Sequence, residues 1–146
     1  MEEVAPLGPA YQAGTMAGNP ASMNAGIACL EVLEDKQLYD KLETLGKQLE
    51  DGLQNIATNA QVPVQINRKT GALTLYFTSK PVKNYDDADA TNGEHFSIFF
   101  HSMLEQGIHL APSKFEAWFL TSAHTQEAIA ATLDAAETAF QAIKNS

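Results

Sequence analysis

The side chains able to do chemistry are few and scattered. The chain of 146 residues has four histidines, His95, His101, His109 and His124, and a single cysteine, Cys29. No two histidines stand at the four-residue helical spacing of a metalloprotease zinc motif, and one cysteine cannot supply a paired structural zinc site, so no metal is expected. His95 and His101 lie six apart and do not share a helix face. His124 beside Thr125 reads as structural, at the start of a helix. No Gly-x-Ser-x-Gly elbow, Walker phosphate loop or Gly-x-Gly-x-x-Gly turn is present; Gly14 and Gly18 have the right flavour without that spacing. Glu116 stands out, set between Phe115 and the apolar run Ala117-Trp118-Phe119-Leu120. A carboxylate beside so much apolar surface is costly unless it is paired or functional. Cys29, in an apolar stretch, is expected to be packed rather than nucleophilic.

The charge balance removes whole classes of partner. Nine Lys and Arg face eighteen Asp and Glu, a formal net charge of −9. Binding to a phosphate backbone needs a cationic face, so no nucleic-acid partner is expected. The densest apolar run, Phe96-Ser97-Ile98-Phe99-Phe100, falls far short of the ~18–20 residues of a membrane span. Glu2 and Glu3 open the chain where a signal peptide would carry basic and then apolar residues. These features, with a lone cysteine, suit a soluble, reduced, cytoplasmic chain. With 45% hydrophobic residues, it can bury a real core as one ordinary domain with an appended arm.

The elements that must position these residues follow from periodicity. Pro6, Gly8, Pro9, Gly14, Gly18, Asn19 and Pro20 punctuate an arm that cannot bury a face of its own. Asn19-Pro20 reads as a cap and first helical position, followed by Met23, Ile27, Leu30 and Leu33 at helical steps. Glu34-Asp35-Lys36-Gln37 interrupts that pattern. Leu38, Leu42, Leu45, Leu49 and Ile56 then mark a second amphipathic helix. Leu73, Leu75 and Phe77 alternate with Thr74, Tyr76 and Thr78 as a half-buried strand, with Val64-Gln65-Ile66 as a shorter partner across a Lys69-Thr70-Gly71 hairpin loop. Residues 84–92 read as a solvated loop. Phe96, Phe99, Phe100, Met103 and Leu104 mark a third helix, closed by Gly107. Two short apolar segments, 108–111 and 117–120, read as strands separated by a Pro112-Ser113 turn. Thr125 caps a last helix with Ile129, Leu133, Ala136, Phe140 and Ile143 on its buried stripe. The architecture is an α+β layer, with helices on one face of a small antiparallel or mixed sheet.

Two stretches are more specific. Gly8-Pro9-Ala10-Tyr11-Gln12-Ala13-Gly14-Thr15-Met16-Ala17-Gly18-Asn19-Pro20 and Gly107-Ile108-His109-Leu110-Ala111-Pro112-Ser113-Lys114-Phe115-Glu116-Ala117-Trp118-Phe119 resemble the class III aminotransferase family. The Ala-Pro-Ser-Lys-Phe-Glu-Ala string points, within it, to the glutamate-1-semialdehyde aminomutases. The resemblance covers essentially the whole chain and implies the C-terminal part of a fold-type I enzyme dependent on pyridoxal 5′-phosphate or pyridoxamine 5′-phosphate. Residues 1–36 would be a loop arm and helix of the large cofactor domain, and residues 37–146 the α+β small domain. The lysine that holds the cofactor covalently, and the aspartate facing its pyridine nitrogen, would lie upstream.

The same resemblance implies the residue roles. Gly14 and Thr15 would bind the cofactor phosphate of the neighbouring subunit in a homodimer. Glycine admits close backbone approach, and the Thr15 amide and hydroxyl can both donate to a dianion. Glu116 would face the cofactor and meet the lysine or the amino groups of a small-molecule substrate. Trp118 stands where this family often has glycine. The implied activity is isomerisation of glutamate-1-semialdehyde to 5-aminolevulinate in tetrapyrrole synthesis, with the chain inactive by itself. Two alternatives stand beside it: another class III ω-aminotransferase, and a stand-alone α+β binding or oligomerisation module.

Overall fold

The computed structural model describes residues 2–146, which separate into two compact units, one ending at Lys36 and one spanning Gln37–Ser146. In the first, a loop is closed by the Ala5 amide donating to Ala10 (2.8 Å) and the Ala10 amide donating to Glu3 (2.9 Å). Helix α1, Pro20–Leu33, begins as its sequence dictates: Asn19 Oδ1 accepts from the amides of Ala21 (2.9 Å) and Ser22 (3.3 Å), with Pro20 at the first helical position. None of its residues is buried. Cys29 is therefore exposed, not packed as its apolar neighbours in the sequence suggest.

The second unit is an α+β fold. Helix α2, Lys36–Ala60, turns Leu45, Leu49, Leu53 and Ala57 into the core and its charged residues outward. Strands β1, Gln65–Lys69, and β2, Ala72–Tyr76, form an antiparallel hairpin in the register Gln65–Tyr76 to Lys69–Ala72. Thr70, at φ 52°, and Gly71 make the turn. The helix leans on that turn, since a Cβ at Gly46 of α2 would run into the Thr70 carbonyl. Strand β3, Trp118–Phe119, adds to β2 antiparallel, so the sheet order is β1-β2-β3 and the mixed alternative falls away. Helices α4, Gly93–Glu105, and α5, Gln126–Lys144, pack on each other. Phe99 and Phe140 meet at 5.2 Å between centroids, and Phe77 touches both. Phe99, Phe140, Leu45, Leu53, Leu73, Leu75 and Met103 are the largest fully buried side chains.

Two expectations need correcting. Residues 108–111 are not a strand: the neighbour of β2 on that side is β3, which pairs through Ala72 and Leu73, and residues 108–111 join no ladder. The stretch read as a solvated loop holds a short helix α3, Tyr85–Asp89. Asn84 caps it by accepting from the Asp87 amide (2.9 Å), and Ala88 is buried beneath it. Gly107 ends α4 at φ 82°, with the Ile108 amide donating to Met103 (2.9 Å).

Candidate functional site

Glu116 belongs to a compact turn. The Glu116 amide donates to the Ser113 carbonyl (3.1 Å), and the Phe115 amide donates to Ser113 Oγ (3.2 Å). The residue is exposed. Its apolar sequence neighbours do not desolvate it, because the strand pleat sends Trp118 inward, 9% exposed, and Phe119 outward, 70% exposed. The cost argued from sequence is thus not incurred here, and the carboxylate stands free to meet an external group.

Its flanks are fixed. On the C-terminal side Trp118 pairs with Leu73 and stacks on Phe99, with centroids 6.3 Å apart. The indole occupies the space that the glycine expected in this family would leave open. On the N-terminal side Lys114 Nζ donates to the carbonyls of Asp89 (2.6 Å) and Thr91 (3.2 Å). Phe115 stacks on Tyr85 at 5.4 Å, with the rings 13° from parallel. Lys114 stands in the motif, but its partners, like Tyr85, carried no signal in the sequence, because what Lys114 finds is backbone carbonyl.

Beyond β3, the Thr121 amide donates to His124 Nδ1 (3.0 Å), so the proton of the neutral ring lies on Nε2. Lys41 Nζ donates to the Ser122 carbonyl (2.7 Å). His124 and His109 line an apolar cavity of about 170 Å³ with Leu49, Leu110, Trp118 and Ile129. His124 thus takes part in the turn that leads to the Thr125 cap. Among the described residues no three of His, Cys, Asp and Glu gather as a metal site.

In the first unit, Gly14 and Thr15 are both exposed and open a turn in which the Ala17 amide donates to the Gly14 carbonyl (2.9 Å). Gly18, at φ 72°, delivers the chain to the Asn19 cap, a conformation that favours glycine. Gly14 is different: a Cβ there would meet Ala17 at an ordinary 3.5 Å. Nothing inside the unit requires glycine at position 14.

The electrostatics of the second unit centre on Arg68. Its guanidinium donates from Nε to Glu50 (2.7 Å), from Nη2 to Glu43 (2.8 Å) and from Nη1 to the Thr70 carbonyl (2.9 Å). The bond from Arg68 holds the Glu43 carboxyl below its ordinary range, and those to Glu43 and Glu50 raise the guanidinium further. This network ties α2 to the hairpin and lies outside the Glu116 turn.

Comparison with known proteins places the chain. An ω-transaminase from Sphaerobacter thermophilus superposes with a TM-score of 0.76 at 24% identity, over 92% of this chain and 31% of that one. A β-phenylalanine aminotransferase from Variovorax paradoxus gives 0.77 at 24% identity, over 90% and 30%. A transaminase with pyridoxal phosphate bound gives 0.74 at 21% identity, over 94% and 31%. The chain thus spans about a third of the length of the solved structures it resembles. No helix among the described residues is long and apolar enough to cross a membrane. The aminotransferase class-III family matches residues 1–139, and with that match and the shared fold this chain belongs to the class III aminotransferases.

Proposed function

We propose that this chain is the C-terminal part of a pyridoxal 5′-phosphate-dependent aminomutase that converts glutamate-1-semialdehyde to 5-aminolevulinate in tetrapyrrole synthesis. The observation that carries the reading is the Ser113–Glu116 turn. The stretch most like the aminomutases folds into a turn that is anchored on both flanks and presents one exposed carboxylate.

The residues present fit the cofactor's phosphate. Gly14 carries no Cβ although its own unit leaves room for one, and the neighbouring Thr15 is exposed. Backbone and hydroxyl donors at such a corner suit a dianion. In a homodimer these two residues bind the phosphate of the neighbouring subunit. The covalent anchor is assigned to a lysine outside this chain. Lys41 and Lys114 are engaged on carbonyls, Lys47 is paired with Asp51, and no lysine is buried.

When bound, the pyridoxal ring supplies an electron sink for breaking a bond at an amino-bearing carbon. This chain supplies binding and placement. Thr15 donates to the phosphate. The Glu116 carboxylate accepts hydrogen bonds from an ammonium of the substrate and holds it in register. The chain by itself is inactive.

The test is a substrate comparison in the full-length enzyme. Turnover of glutamate-1-semialdehyde without an added amino acceptor is expected, and no turnover of an ω-amino acid with 2-oxoglutarate. The reverse result replaces the aminomutase with an ω-aminotransferase, a reading favoured by the resemblance in fold to the ω-transaminase and the β-phenylalanine aminotransferase.

A further inference from the structure

We propose that Lys114 is a positioning residue for Glu116, acting as a bolt that fastens the carboxylate-bearing turn to the end of helix α3; the proposal rests on the role assigned to Glu116 above. Lys114 is two residues from Glu116, and although the chain is acidic its ammonium is in none of the salt bridges among the described residues. It takes two main-chain carbonyls, Asp89 at 2.6 Å and Thr91 at 3.2 Å, 25 and 23 residues away along the chain.

Those carbonyls are good anchors for three reasons. Asp89 is the last residue of α3 and Thr91 lies two residues beyond it, and carbonyls at a helix end lack intrahelical donors. A full positive charge gives bonds to them more strength than a neutral donor would. Their position is also fixed. Thr91 is buried, its hydroxyl donates to the Ala88 carbonyl (2.7 Å), and the next amide, that of Asn92, donates to Phe77 (3.0 Å) beside the sheet. The bolt therefore enters a rigid plate.

Phe115 makes the fastening two-dimensional. The Lys114 ammonium lies 5.0 Å from the centre of the Phe115 ring, whose stack with Tyr85 brings it against the start of the same helix. One residue of the turn thus grips the end of α3 and the next its beginning. Two residues after Glu116 the chain is fixed again by Trp118. Only Glu116 and Ala117 lie between the fastenings. An exposed loop carboxylate ordinarily samples a wide volume, whereas productive alignment with a reacting group tolerates little displacement. Short helix α3, with three aspartates in five residues, then has a purpose: it is the plate to which the turn is bolted.

The experiment has two arms. In this chain, amide hydrogen exchange is followed at Phe115 and Glu116, both hydrogen-bonded within the turn. Lys114→Met is expected to speed exchange there about tenfold while leaving α5 unchanged, and Lys114→Arg to restore most of the protection. Unchanged exchange at both amides in Lys114→Met and in Tyr85→Ala would overturn the proposal whatever Glu116 does. In the full-length holoenzyme, a double-mutant cycle joins Lys114→Met with Glu116→Gln. Lys114→Met is expected to lower kcat about tenfold with KM little changed, and to cost less than about twofold once Glu116 is already Gln. An equal loss in both backgrounds overturns the positioning role and leaves Glu116 its function. A Glu116→Gln enzyme as active as the parent overturns the role of the carboxylate itself, and the assignment of Lys114 falls with it.

Discussion

The indole of Trp118 lies 2° from parallel with the ring of Phe99, their centroids 6.3 Å apart, so a two-residue edge strand is joined to the centre of the core by one aromatic pair. Phe99 is fully buried, and Trp118 closes the layer above it. Replacing Trp118 with the glycine expected from the family leaves a void beside Phe99 and frees β3. The change is expected to cost about 3–5 kcal/mol, as for other large buried aromatics. Urea unfolding followed by circular dichroism measures it; Trp118 is the chain's single tryptophan, so tryptophan fluorescence is lost with the substitution.

Arg68 makes stability depend on pH. Its hydrogen bond, with smaller help from nearby positive charges, lowers the Glu43 carboxyl below the ordinary 4.5. A lowered carboxyl contributes stability that is fully present above its unfolded value and is lost as pH falls through the folded one. Glu43→Gln is therefore expected to melt below the parent at pH ~7, with the difference shrinking as the pH falls below ~4.5. Melting curves at neutral and acid pH decide it; a gap that persists in acid would show that shape rather than charge is responsible. Thr125 lowers the Glu127 carboxyl by the same sign, so Glu127→Gln should follow the same course.

Thr15 offers a test of the phosphate corner. Loss of one charge-assisted hydrogen bond costs about 1.5–3 kcal/mol. In the full-length enzyme Thr15→Ala is expected to weaken cofactor retention about tenfold or more. Equilibrium dialysis against the free cofactor measures this, and unchanged affinity would remove Thr15 from the site.

Helix α1 leaves Met23, Ile27 and Leu30 between 52% and 64% exposed. Apolar residues in such a row favour association. The chain is expected to self-associate with rising concentration, and Leu30→Glu to shift it toward monomer. Sedimentation across a wide concentration range checks both, and a monomer throughout would count against the expectation.

What could be read in the sequence depended on whether a residue's partner was nearby. Asn19-Pro20 and Thr125 announce helix starts because a cap bonds amides two or three residues away. Leu45 and Leu49, and Leu73 with Leu75, announce buried faces because burial repeats with the helix or strand period. Helix α3 was hidden because Tyr85-Asp86-Asp87-Ala88-Asp89 has poor helix formers and only Ala88 to bury; its cap and the core beneath it make it fold. Residues 108–111 have the composition of a strand, but a strand also needs a partner, and the strand that joins β2 is the one carrying Trp118. In the site, the motif around Glu116 was visible and its fastening was not. Carbonyls of Asp89 and Thr91 look like every other carbonyl in a sequence, and only folding brings Lys114 to them.

The bare Cα of Gly46 beside the Thr70 carbonyl has an evolutionary corollary. Because the long helix rests on the tip of the hairpin, the distance from Lys69 to Ala72 is a fixed span, and an inserted residue there would wedge two layers apart. The exposed stretch from Ser79 to Pro81 abuts no such stop. Length variation among relatives should collect in that second stretch and spare the first.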